Sequence, residues 1–124
     1  MYHFHELKLS SKQPVYIQIA LYVKRQILLG AVESGERLPS RRDVAVQLNV
    51  NPNTVQKAYK LMEDEGYVRT MGNQGSVIYT DEQLISRIEE ELTSELVQDF
   101  IASVKEIRLN YRNVIELISK HWDE

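Results

Sequence analysis

Asn51-Pro52-Asn53-Thr54-Val55-Gln56-Lys57-Ala58-Tyr59 sets the start of a helix and the chemistry of its first turns. Asn51 is a strong N-cap, and Pro52 suits the first helical position, where no N–H is needed. Val55, Ala58, Tyr59 and Met62 then recur at helical spacing. Asn53, Thr54, Gln56, Lys57 and Lys60 are left facing outward. Such a face offers amide forks that pair with adenine edges in a major groove and ammonium groups that neutralise phosphates. Tyr59 falls on the apolar stripe and is read as core.

Upstream, Ser40 with Asp43 three residues later forms a capping-box-like start for a preceding helix, and Val44, Ala45 and Leu48 give that helix its buried stripe. Only Asn49, Val50 and Asn51 separate the two. A helix, a turn this short and a second helix opening Asn-Pro have the spacing of a helix-turn-helix, whose second element enters the major groove. Before it, Pro14 to Leu29 reads as a first helix, with Tyr16, Ile19, Val23 and Ile27 on one face and Gly30 as terminator. Glu63, Asp64 and Glu65 close the recognition helix before Gly66 and oppose its macrodipole, so the DNA-facing end is expected to be the N-terminal one. Tyr67 to Met71 and Ser76 to Thr80 then read as strands around the turn Gly72-Asn73-Gln74-Gly75. Three helices and a hairpin in this order predict a winged helix, a mainly α fold with a small β-hairpin.

Asp81 to Glu124 contains no Gly and no Pro, and its apolar residues Ile85, Ile88, Leu92, Leu96, Phe100, Val104 and Ile107 step by three or four. A second series, Tyr111, Val114, Ile115, Ile118 and Trp122, either continues the same helix or folds back after a break near Arg108 to Tyr111; a helical hairpin is the expectation. Neither arrangement buries its stripe alone. A homodimer supplies the missing surface and matches the paired half-sites of a palindromic operator on double-stranded DNA. Ile85, Ile88, Leu92, Leu96, Phe100, Val104, Ile107, Tyr111, Val114 and Ile118 are the candidate dimerisation residues. The division is thus an extension over 1–13, a winged helix over 14–80 and a helical segment over 81–124.

Charge follows the same division. The net charge of −3 over 124 residues looks wrong for a DNA binder, yet Met1 to Thr80 holds ten Lys or Arg against seven Asp or Glu, while Asp81 to Glu124 holds five against eleven. The first part is suited to phosphate and the acidic tail to protein contacts. The absence of cysteine excludes disulfide frameworks, thiolate zinc sites and cysteine nucleophiles. His3, His5 and His121 do not make a metal site, since no cysteine or carboxylate cluster completes one. No Gly-rich phosphate loop, nucleophile motif or general-base constellation is visible, so neither catalysis nor a cofactor is expected. No apolar run spans a membrane and Met1 to Ser11 lacks the regions of a signal peptide, which predicts a cytoplasmic protein.

Four linked stretches carry a further resemblance: Pro14-Val15-Tyr16-Ile17-Gln18-Ile19, Gly35-Glu36-Arg37-Leu38-Pro39-Ser40-Arg41-Arg42-Asp43-Val44-Ala45, Asn51 to Tyr59, and Glu65-Gly66-Tyr67-Val68. In this order they resemble the winged-helix domain of the GntR family of bacterial transcription regulators. The Asn-Pro-Asn-Thr-Val string and the short tail are most similar to the YtrA-type subgroup. That resemblance implies a dimeric regulator, often of a transporter operon. It places Arg42 on the family's DNA-contacting arginine after the Pro-Ser pair, with Arg41 at the variable position before it. Pro52 and Gln56 stand where many members have arginines, so a different operator is implied. The wing has Gly72-Asn73-Gln74-Gly75 where the family usually has a tighter Gly-x-Gly.

The candidate DNA contacts are therefore Ser40, Arg41, Arg42, Asn51, Asn53, Thr54, Gln56, Lys57 and Lys60, with Asn73, Gln74 and Gly75 at the wing tip. The reading is a sequence-specific transcription regulator, a repressor. Two others compete with it. One is a protein-interaction adaptor, which has no need of cations and amides at a helix N-terminus. The other is a regulator responding to an unidentified small-molecule effector, whose pocket would need the interface between two tails.

Overall fold

The computed structural model describes residues 4–124, and His3 of the His-x-His pair lies outside them. Helix α1 spans Val15–Leu28 and buries Ile19, Ala20, Val23 and Ile27, so the expected end residues Pro14 and Leu29 are its caps. The stretch before it is fastened down. Phe4 is fully buried with its ring centroid 5.8 Å from that of Tyr22, and its N–H donates to Gln47 Oε1 at 2.9 Å. The buried Gln18 amide accepts from Ser10 N–H and donates to the carbonyls of Ser10 and Gln13, each at 2.8 Å.

Helix α2 spans Arg41–Leu48, and Ser40 Oγ accepts from Asp43 N–H at 3.1 Å. Asn49 ends it in the left-handed region, φ 55°, a conformation asparagine tolerates better than most residues. Two residues later Asn51 Oδ1 accepts from Asn53 N–H at 2.7 Å and opens α3, Pro52–Glu65. These local signals fall where the sequence places them, because a cap needs only its own next three residues. Val55, Ala58, Tyr59 and Met62 of α3 pack into the core that α1 and α2 line.

The acids closing α3 are each paired with a cation, two of them from other helices. Glu65 pairs with Lys24 of α1 at 2.6 Å, Asp64 with Lys60 of α3 at 2.9 Å, and Glu63 with Arg41 of α2 at 3.6 Å. What looked in sequence like unfavourable charge at a helix C-terminus is balanced by one cation within the helix and two from outside it.

Gly66, at φ 95°, turns the chain into the wing. Strands β1 (Val68–Thr70) and β2 (Ser76–Ile78) pair antiparallel, with Val68 opposite Ile78 and Thr70 opposite Ser76. They are shorter than the expected Tyr67–Met71 and Ser76–Thr80. Beyond Thr70 the chain closes into a 3-10 turn over Gly72–Gln74, in which Gln74 N–H donates to Met71 O at 2.9 Å and Met71 N–H to Gly75 O at 2.8 Å. A third extended piece adds to β2: Arg37 bridges Val77, while Leu38 N–H donates to Ser76 O and Ile78 N–H to Glu36 O, both at 2.9 Å.

Internal packing divides the described chain after Ile88, with Glu89–Glu124 as the second unit. Helix α4, Glu82–Glu106, begins in the first unit. Asp81 Oδ1 accepts from Leu84 N–H at 2.8 Å and Oδ2 from the Tyr79 hydroxyl at 3.1 Å; the Leu84 bond first, then Tyr79, hold this carboxyl below its ordinary range. A lowered folded pKa means that the cap contributes fully above about pH 4, the ordinary carboxylate range, and is lost as pH falls through the lowered value. Protection of the Leu84 amide is therefore expected to drop in that acid range. Asp81→Asn, which keeps an acceptor but cannot titrate there, should hold it level in hydrogen-exchange NMR.

Leu84 and Ile88 are buried. Ile88 thus leaves the expected dimerisation stripe: it is a core residue of the first unit. In the second unit α4 ends before Arg108, which sits at φ 60°, and α5 (Tyr111–His121) starts from Asn110, whose Oδ1 accepts from Asn113 N–H at 2.9 Å. The break falls where the sequence allowed one. The two helices do not cover each other's apolar residues: Leu96, Phe100, Ile107, Tyr111, Ile115, Ile118 and Trp122 are all exposed. Ile85, Leu92, Val104 and Val114 are half-buried. Val97 and Ile101, outside the expected series, widen the exposed face of α4.

Candidate nucleic-acid interface

Three pieces of the first unit present the expected contacts: the N-termini of α2 and α3, and the wing tip. The short turn after α2 leaves the first turns of α3 with one buried side and one open side. Asn53, Gln56, Lys57 and Lys60 are exposed and Thr54 is half-buried. The side chains of Asn53 and Gln56 have no intramolecular partner among the described residues. Both amide forks are thus available for base edges at no cost in internal bonds. Asn51 and Ser40, by contrast, already use their side-chain oxygens as caps, which leaves them able to approach DNA chiefly through backbone and remaining valences.

The cations separate into one free and three engaged. Arg42 is exposed and has no hydrogen bond or ion pair among the described residues. Arg41 lies 5.0 Å from the Tyr59 ring centroid and faces Glu63, with its Nε enclosed and unpaired. These contacts tie α2 to α3, and Tyr59 in turn donates its hydroxyl to Pro39 O at 2.5 Å, just before α2. Burial pushes the Tyr59 hydroxyl far above the ordinary tyrosine range, partly offset by Arg41, so it stays a neutral donor. Lys57 Nζ sits 4.1 Å above the Tyr16 ring of α1, a cation–π contact that holds the ammonium beside the start of α1. The Asp64 hydrogen bond raises the pKa of Lys60, which keeps it charged.

The wing tip carries Asn73, Gln74 and Gly75, all exposed. A cleft of about 340 Å³ brings Gln74 and Gly75 together with Ser40 and Arg41 at the start of α2. Arg37 belongs to the same cleft, and its guanidinium donates to the carbonyls of Gln74 at 2.7 Å and Asn73 at 3.3 Å. Neither Arg37 nor Tyr16 is legible in the sequence as part of the site, since each acts through a residue roughly 40 positions away in the chain. Among the described residues no cluster of His, Asp or Glu is arranged to hold a metal, and no helix is long and apolar enough to cross a membrane.

Residues 15–78 match the family described as bacterial regulatory proteins, gntR family, a span from the first residue of α1 to the last of β2. The chain belongs to the gntR family. This gntR-family protein is 34% identical over 107 residues to the HTH-type transcriptional regulator YhcF of Bacillus subtilis (strain 168), covering 86% of this chain and 88% of that one. It is 35% identical over 101 residues to the HTH-type transcriptional repressor YtrA of the same organism, covering 77% and 78%. Both matches are too long to be confined to the winged helix. Among solved structures, a GntR family transcriptional regulator from Listeria monocytogenes superposes with a TM-score of 0.82 at 29% identity, covering 90% of this chain and 98% of that one. This gntR-family chain is a DNA-binding transcription regulator of YtrA-like type, with a winged helix and C-terminal helices.

Proposed function

We propose that this regulator is a cytoplasmic homodimeric repressor that occupies a palindromic operator, in a promoter of the transporter-operon kind that the YtrA-type resemblance implies. The observation that carries the reading is the open face of α3, where Asn53 and Gln56 stand exposed and unpartnered among the described residues, together with the exposed guanidinium of Arg42 at the start of α2. Amides read base edges, and Arg42 and Lys57 neutralise phosphates. The wing tip flanks the site with Asn73 and Gln74. Dimerisation is assigned to the apolar faces of α4 and α5, where Leu96, Phe100, Ile107, Tyr111, Ile115 and Ile118 are exposed in the single chain. Repression follows from occupancy alone, since a dimer on a promoter excludes polymerase, and no catalytic step is needed.

The test is selection of binding sites from random duplex DNA by the purified protein near physiological salt. The expected result is enrichment of an inverted repeat whose half-sites lie about one helical turn apart, roughly 10 base pairs. No enrichment from a folded protein would overturn the reading and favour the adaptor.

A further inference from the structure

We infer that Arg37 is a positioning residue that fixes the wing tip in its DNA-facing shape, so that its loss weakens DNA binding without Arg37 itself touching DNA. The inference rests on the reading of the wing tip as a DNA contact. Each strand of the hairpin has only three residues, too few to hold a protruding turn rigid by strand pairing alone. The tip backbone is closed by local bonds, of which Gly75 N–H to Gly72 O, at 3.4 Å, is long.

Arg37 supplies what the hairpin lacks. It is anchored through its bridge to Val77 and by the adjacent Leu38 N–H to Ser76 O bond. From that base its planar guanidinium reaches two successive tip carbonyls at once, Gln74 O at 2.7 Å and Asn73 O at 3.3 Å. Two charge-assisted bonds from one rigid fork fix orientation as well as distance, which a lysine ammonium cannot reproduce. With their carbonyls held by Arg37, Asn73 and Gln74 keep their side chains exposed, ready for a groove with less prior ordering cost.

The experiment uses the full chain with Arg37→Ala, Arg37→Lys, an Asn73→Ala/Gln74→Ala tip variant, and the combination of Arg37→Ala with the tip variant. Hydrogen exchange in the free protein is read first at the amides of Gln74 and Gly75. Arg37→Ala is expected to raise exchange there with the rest of the winged helix unchanged, and Arg37→Lys to restore it only in part. Affinity for the selected operator is read second. Arg37→Ala and the tip variant are each expected to lose about three- to tenfold, and the combination to lose no more than the larger single loss. Unchanged exchange at the tip would overturn the clamp. Additive losses with a salt slope reduced by about one unit would make Arg37 a direct phosphate ligand instead. A tip variant with wild-type affinity would remove the wing contact itself, a failure of the underlying reading recognised separately because the exchange result does not depend on DNA.

Discussion

Arg42→Ala combined with Gln56→Ala is expected to leave a folded protein that has lost roughly a hundredfold or more in affinity for its selected operator, while keeping weak binding to random duplex. A bidentate amide–base pair is worth about 1–3 kcal/mol of discrimination, and each 1.4 kcal/mol is about tenfold, so one base contact plus one cation contact accounts for that loss. The fold is spared because both side chains are exposed and unpartnered, and surface changes of this kind usually stay within about 0.5 kcal/mol. Anisotropy titrations against operator and scrambled duplex, with thermal unfolding beside them, make the check. Operator affinity within about threefold of wild type would take Arg42 and Gln56 out of the interface.

The second large effect concerns the tail. Leu96→Asp with Phe100→Asp places two carboxylates on the face of α4 assigned to the partner, where Leu96 is 66% and Phe100 44% exposed in the single chain. Because neither residue is in the core of a unit, the chain should fold, but the paired surface now contains buried charge, which costs several kcal/mol. A monomer is expected in sedimentation at micromolar concentration. Operator affinity should fall by about 10²- to 10⁴-fold, since the second half-site is no longer delivered by the first. A persisting dimer would move the interface elsewhere.

How far these expectations could be read from the chain depends on distance along it. Ser40 with Asp43 and Asn51 with Pro52 and Asn53 are complete within four residues, and the caps and element order were legible from them. The tail break was harder. It is made by Arg108 at φ 60°, a conformation that costs a non-glycine residue about 1–2 kcal/mol, with no Gly or Pro to announce it. Periodicity alone therefore allowed either one helix or two. The same periodicity placed Ile88 on the dimer stripe, because a helix that leaves a core after its first two turns keeps one spacing throughout. Long-range partners were not legible at all. The Arg37 bridge to Val77, Lys57 over Tyr16, and the burial of Phe4 link residues roughly 40 positions apart or more, and nothing in the local pattern specifies them.

The balanced carboxylates at the C-terminal end of α3 bear on kinetics as well as on the fold. With Glu63, Asp64 and Glu65 each matched by a cation, the opposite half of the helix keeps the exposed Lys57 and the positive pole of the backbone dipole. The recognition helix is therefore electrically asymmetric along its axis, although the whole chain is net negative. In the field of a duplex such an asymmetry exerts a torque before any contact is made. With the N-terminal end of α3 as the proposed DNA-facing end, diffusing molecules are expected to arrive that end first, and the association rate is expected to fall as ionic strength rises.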